Sequence, residues 1–135
     1  LLFALSILLF ISCGEENNTK SSDNYDCIDI SNMPEGKENT TVRIISFIPY
    51  VDENRFDSFE LRDFENELYN LSSYYITDKK SNVWYLNELQ GYIIVKNENC
   101  LSFLFEYYGD TGLESGDTIM LFDSLDNKIQ TFIIP

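Results

Sequence analysis

Residues 100–108, Cys-Leu-Ser-Phe-Leu-Phe-Glu-Tyr-Tyr, constrain the fold more than any other stretch of the chain. Side chains along a β-strand point alternately to opposite faces. Leu101, Phe103, Phe105 and Tyr107 would therefore share one face, and Cys100, Ser102, Leu104, Glu106 and Tyr108 the other. A strand this apolar on both sides needs cover on each, from a helix or a second sheet. Further β-like runs occupy 41–51, 83–86, 92–96, 118–122 and 129–134, and residues 72–76 read as a short strand or a frayed helix end. Polar turn clusters at 77–82, 97–99, 109–117 and 124–128 separate them, and the last two runs read as a hairpin. Pro49 lacks an amide donor, so the first run must meet an edge, a bulge or its own end there.

Residues 55–71 depart from this pattern. Phe56, Phe59, Phe64, Leu68 and Leu71 approximate one helical face, and Asp57, Glu60, Asp63 and Glu67 cover another. Asn54 or Asp57 would cap such a helix. The expected fold is mainly β, with antiparallel β-sandwich-like sheets and one amphipathic helix; an α+β arrangement is the alternative. Residues 52–67 carry seven acids against two arginines, the strongest local negative charge in the sequence. Asp57, Glu60, Asp63 and Glu67 form a candidate face for a basic partner, or simply a solvated helix surface over packed aromatics. No internal repeat is evident.

Nine Lys and Arg against 23 Asp and Glu leave a net charge of −14 over 135 residues. Such a body repels nucleic acid and anionic headgroups, and attracts cationic partners. The sequence contains no histidine, which excludes Ser-His-Asp and Cys-His catalysis and histidine metal sites. It also lacks GxGxxG, phosphate-loop and CxxC motifs, so no cofactor is expected. Paired carboxylates survive this exclusion, because a glycosidase needs only an acid and a base or nucleophile. Glu106, Asp110, Glu114 and Asp117 are the candidates. Asp110, Glu114 and Asp117 also offer oxygen ligands for calcium, without the DxDxDG-type spacing, and ordinary turn residues are the simpler reading.

The first residues address location. Leu1 to Ile11 is almost wholly apolar, Ser12 is small, and after Cys13 the chain turns polar at Glu15, Glu16, Asn17 and Asn18. An apolar run of this length suits an export signal better than a membrane span. Phe10-Ile11-Ser12-Cys13 resembles the lipobox of bacterial lipoprotein precursors, although Phe10 replaces the usual Leu, Val or Ile. The missing Met and basic segment imply a chain beginning inside its precursor. Gly14-Glu15-Glu16-Asn17 is similar to the acidic surface-export signal of Bacteroidota lipoproteins. The resemblance implies a signal peptide at 1–12 and lipidation of Cys13 by palmitate-type acyl chains. It also implies a place in the cell envelope, at the outer membrane, on its periplasmic or surface face. Multiple chains would hold the protein firmly, each buried methylene contributing about 0.8 kcal/mol. Residues 13–26 then read as a flexible tether, since EENNTKSSDN has no apolar periodicity. Residues 27–135 form a single β-rich domain. With Cys13 assigned to lipid, Cys27 and Cys100 remain as a candidate disulfide, two buried thiols being the alternative.

Trp84, Tyr85 and Tyr92, with Tyr107 and Tyr108, offer an aromatic platform for a glycan or peptide, or else ordinary core packing. The function expected from these features is non-enzymatic binding of another macromolecule, protein or glycan, by an envelope lipoprotein. Alternatives are an immunity or inhibitor protein for a basic toxin, a glycan-binding accessory protein, and a small carboxylate-dependent hydrolase. The first requires 52–67 to be an exposed rigid face, and the second requires coplanar exposed aromatics.

Overall fold

A computed structural model describes residues 30–49, 56–65, 70–96 and 101–135. Cys13, Cys27, Cys100 and Glu67 lie outside the described residues, as does the expected signal and tether region. Eight strands run in order: β1 (Val42–Ile48), β2 (Phe56–Asp63), β3 (Tyr75–Asp78), β4 (Val83–Tyr85), β5 (Gln90–Lys96), β6 (Leu101–Tyr108), β7 (Thr118–Phe122) and β8 (Lys128–Ile133). They form two four-stranded antiparallel sheets, ordered β1-β2-β6-β5 and β4-β3-β7-β8. The mainly β, sandwich-like expectation is met. Single 3₁₀ turns at Ile30–Asn32, Leu71–Ser73 and Leu86–Glu88 are the helical elements among the described residues.

The expected helix over 55–71 is replaced by β2, and the reason is visible in its alternation. Phe59 and Leu61 point inward with Asp57 and Asp63, and all four are buried. Phe56, Ser58, Glu60 and Arg62 take the opposite face by strand periodicity. The acids at positions 57 and 63 mimic a solvated helix stripe, but both accept hydrogen bonds inside. Asp57 Oδ2 accepts from the backbone N–H and the hydroxyl of Thr111, each at 2.6 Å. Asp63 Oδ1 accepts from Thr41 Oγ1 at 2.8 Å. With β1 on one side and β6 on the other, β2 is a central strand, and its pairing overrides a weak helical period.

The core fills the space between the sheets. Ile44, Phe47, Phe59, Leu61 and Phe105 come from the first sheet; Ile76, Trp84, Ile119, Leu121 and Ile129 come from the second. Phe59 joins the layers, its ring 5.4 Å from Phe47 and 5.8 Å from Trp84, both tilted. Leu101, Phe103, Phe105 and Tyr107 share the inward face of β6, since they pair with Asp63, Leu61, Phe59 and Asp57.

The edges of the two sheets are stitched where β1 meets β8. The buried Gln130 amide accepts from the Ile44 backbone N–H at 2.6 Å and donates to the Ile44 carbonyl at 3.0 Å. One side chain thus does what a neighbouring strand would do for Ile44. The loop before β1 adds a second stitch, with the Lys37 N–H donating to the Ile129 carbonyl at 2.6 Å. That loop wraps the buried Arg43, whose guanidinium donates to the carbonyls of Pro34, Val42 and Lys37 and to Thr40 Oγ1. Burial pushes the Arg43 pKa below its ordinary value. Gly36 is required at this contact. A Cβ there would collide with the guanidinium and lie 2.7 Å from the Ile129 carbonyl oxygen.

The second sheet also contains a local repeat, where none is evident in the sequence. Its two hairpins turn through the same five-residue loop, Asp78-Lys79-Lys80-Ser81-Asn82 and Asp123-Ser124-Leu125-Asp126-Asn127. In each, Oδ1 of the aspartate accepts from the backbone N–H groups two and four residues on, and Oδ2 accepts from the asparagine side chain. In each, the fourth residue takes a left-handed φ, 69° at Ser81 and 62° at Asp126. Ile76 and Leu121, two residues before each aspartate, pair with one another. The hairpins are therefore related by a local two-fold axis through that pair, and the second differs by a one-residue bulge at Ile129.

Candidate functional site

Beyond the stitched edge, the first sheet opens at β5. This strand pairs with β6 on one side, and no described strand pairs with its other side. Tyr92, Ile93 and Ile94 are 44%, 56% and 38% exposed, three large apolar residues in succession. Among the described residues this is the longest consecutive run of exposed large apolar side chains. Edges of this kind are usually shortened, charged or covered.

An apolar groove of about 280 Å³ lies against the same strand. Its floor is Phe103 and Phe105, with ring centres 6.2 Å apart. Leu71 and Leu86 line one side, Gly91, Tyr92 and Ile93 of β5 the other, and Asn70, Ser72 and Asn87 supply polar groups. Local sequence builds each wall. Asn70 Oδ1 accepts from the Ser72 N–H at 3.0 Å and from its hydroxyl at 2.6 Å, capping the turn that carries Leu71. The Leu86 N–H donates to the Tyr74 carbonyl at 3.0 Å, which ties the second turn to the first. Gly91 pairs with Phe105, and a Cβ on it would stand 2.9 Å from that ring. The absence of a side chain there keeps the floor close to β5.

The two faces of β5 differ chemically. Gly91 and Ile93 pair with Phe105 and Phe103, on the groove side. Gln90 and Tyr92 pair with Glu106 and Leu104, on the other side. Glu88, which is exposed, ends the turn just before the strand.

The structure disperses the residues proposed as an acidic face. Asp57 and Asp63 are 2% and 0% exposed. Glu60 lies on the opposite side of β2, accepting from Ser46 Oγ at 2.9 Å with the Arg62 guanidinium 3.8 Å away. The requirement for an exposed rigid surface at 52–67 is not met by its described part, because strand alternation sends neighbouring acids to opposite sides.

The aromatic platform is dispersed too. Trp84 is buried against Phe59, whereas Tyr85 next to it faces outward, and Tyr92 belongs to the other sheet. Tyr85 instead joins a row that the sequence did not single out. Tyr75 lies between Tyr85, 5.6 Å away, and Phe122, 5.0 Å away and parallel within 4°. Tyr75 and Phe122 cover each other's faces, so the pair does not offer two open ring faces side by side. The Tyr75 hydroxyl donates to Asp126 Oδ1 at 2.9 Å, and this hydrogen bond raises its pKa.

Asp110 and Asp117, two of the four candidate carboxylates, line different clefts. Asp110 lines one cleft of about 320 Å³ with Trp84, Glu88 and Tyr107, while Asp117 lines another of about 200 Å³ with Asp78 and Lys80. Asp110 Oδ1 accepts from the Gly112 N–H at 2.7 Å and Asp117 Oδ2 from the Glu114 N–H at 2.9 Å, so both carboxylates shape turns. Among the described residues no group of three or more acids or cysteines is arranged to hold a metal ion. No described helix is long and apolar enough to cross a membrane.

Sequence reasoning identified Tyr92 but not the groove beside it. The available signal was Gln-Gly-Tyr-Ile-Ile-Val, where an apolar run without a charge follows a glycine. Comparison with protein-family models, curated proteins and solved structures gives no match.

Proposed function

We propose that this chain is a lipid-anchored, non-enzymatic envelope protein whose β-sandwich binds another macromolecule. The observation that carries the reading is the exposed apolar run of β5 beside the groove over Phe103 and Phe105. Contiguous apolar surface of this kind marks interaction sites on soluble domains. The lipobox-like Phe10-Ile11-Ser12-Cys13 supports anchoring, which would leave the domain's exposed faces for a partner.

The test is cross-linking in intact cells, followed by recovery of the native protein and of a Cys13→Ser form. One reproducible envelope partner, recovered only with the anchored form, is the expected result. No reproducible partner from either form rejects the binding role.

A second reading, inhibition of a basic protein, draws support from the net charge of −14. Because Asp57 and Asp63 are buried, its contact would have to lie elsewhere on the domain. A neighbouring toxin gene would favour it.

A further inference from the structure

We propose that the edge of β5 left unpaired by the described strands, over residues 90–94, takes an extended peptide of alternating apolar and basic residues as an added strand. This rests on the binding role proposed above and names its site and the chemistry of the ligand. An edge strand presents backbone N–H and C=O groups at a spacing that another strand matches, so pairing supplies affinity without sequence preference. Specificity then comes from the two faces, because an added strand sends alternate side chains to each.

On the groove side, the peptide's side chains lie beside Gly91 and Ile93 and enter the space walled by Leu71 and Leu86. Apolar residues fit there. On the other side they meet the half-exposed Tyr92 ring and, one strand further in, the Glu106 carboxylate. Strands lie about 4.8 Å apart, so a Lys or Arg side chain stretched over Gln90 reaches its pair partner Glu106, with the Tyr92 ring two residues along the same face. Glu88 adds negative charge at the start of the strand. A second copy of this chain would bring another −14 to the same edge, so charge favours a cationic peptide over self-association.

The experiment uses the purified full chain in mild detergent and fluorescence anisotropy with labelled eight-residue probes. One probe alternates Val and Lys, a second alternates Val and Glu, and a third repeats the first with alternate backbone amides N-methylated. The Val-Lys probe is expected to bind saturably. The Val-Glu and N-methylated probes, and Ile93→Lys protein with the Val-Lys probe, are expected to bind at least about tenfold more weakly, a loss of roughly 1.4 kcal/mol or more. Ile93 is 56% exposed, so this substitution should leave the circular dichroism spectrum unchanged. Val83→Lys, at an exposed position on the other sheet, should leave binding unchanged.

Equal binding of the acidic probe, indifference to N-methylation or to Ile93→Lys, or no binding of the Val-Lys probe overturns the proposal. So does a dimer in sedimentation that Ile93→Lys dissociates, because the edge would then belong to a second copy. Probe failure alongside a recovered envelope partner rejects only the β5 route, whereas failure of both experiments rejects the binding role as well.

Discussion

Replacing Gln130 with Leu should uncouple the two sheets at the β1–β8 edge. The side chain is 3% exposed and both of its polar atoms are committed to Ile44, itself fully buried. Leu is close in volume, so the loss is chiefly polar. Removing the amide strands one backbone N–H and one C=O away from water, each costing about 1–3 kcal/mol. The improved fit of an apolar side chain in a buried site offsets part of this, so a net loss of about 2–4 kcal/mol is expected. Urea unfolding followed by Trp84 fluorescence measures it, with an unchanged slope and a lower midpoint showing that stability alone changed. In a domain of this size the same loss lowers Tm by roughly 8 °C or more. Gln90→Leu, at an exposed position on β5, is the control and should stay within about 0.5 kcal/mol of the parent. A Gln130→Leu protein as stable as the Gln90→Leu control would refute the view that one amide joins the sheets.

Three further outcomes follow from the geometry. Gly36→Ala should destabilise by about 1–3 kcal/mol in the same unfolding assay, since its Cβ displaces either the Arg43 guanidinium or the β8 carbonyl. At Asp78, burial acts to raise the pKa, but hydrogen bonds from the Asn82 side chain and the N–H groups of Asn82 and Lys80, with the Lys80 charge, outweigh it and leave the value depressed. Asp123 follows the same pattern through Asn127, Leu125 and Lys37. A depressed carboxyl stabilises the fold above its unfolded value of about 3.9, and that contribution is lost as pH falls through the folded value. The parent should therefore lose stability below about pH 4, and the Asp78→Asn, Asp123→Asn double variant should show a shallower acid limb in urea titrations; parallel limbs would contradict this. Trp84, the sole tryptophan, should emit at short wavelength and resist iodide quenching until the protein unfolds. Free access of iodide in the native state would return Trp84 to the surface.

The legible parts of the sequence were those where local chemistry and tertiary context agree. At 118–134 the alternation and the Asp-rich turn both demand a hairpin, and β7 and β8 form there. Pro49 announces the end of β1, which stops at Ile48. Phe56 to Asp63 carries charges at helical spacing that normally signal solvent, whereas Thr111 and Thr41 make inward carboxylates tolerable. Those threonines lie 54 and 22 residues away, beyond the reach of any periodicity. The repeated Asp-x-x-x-Asn loop was legible in principle, yet its meaning depends on two hairpins pairing about a common axis.

Turn residues and the apolar alternation around 100–108 determined by themselves that this chain would form short antiparallel strands in covered layers. Those signals act over a few residues, where φ preferences and strand geometry dominate. Only the tertiary structure decided which acids are buried, that Gln130 joins the sheets, and that no described strand pairs with the outer edge of β5 beside Phe103 and Phe105. Each of these depends on which distant segment lies alongside, and a local pattern carries no information about that neighbour.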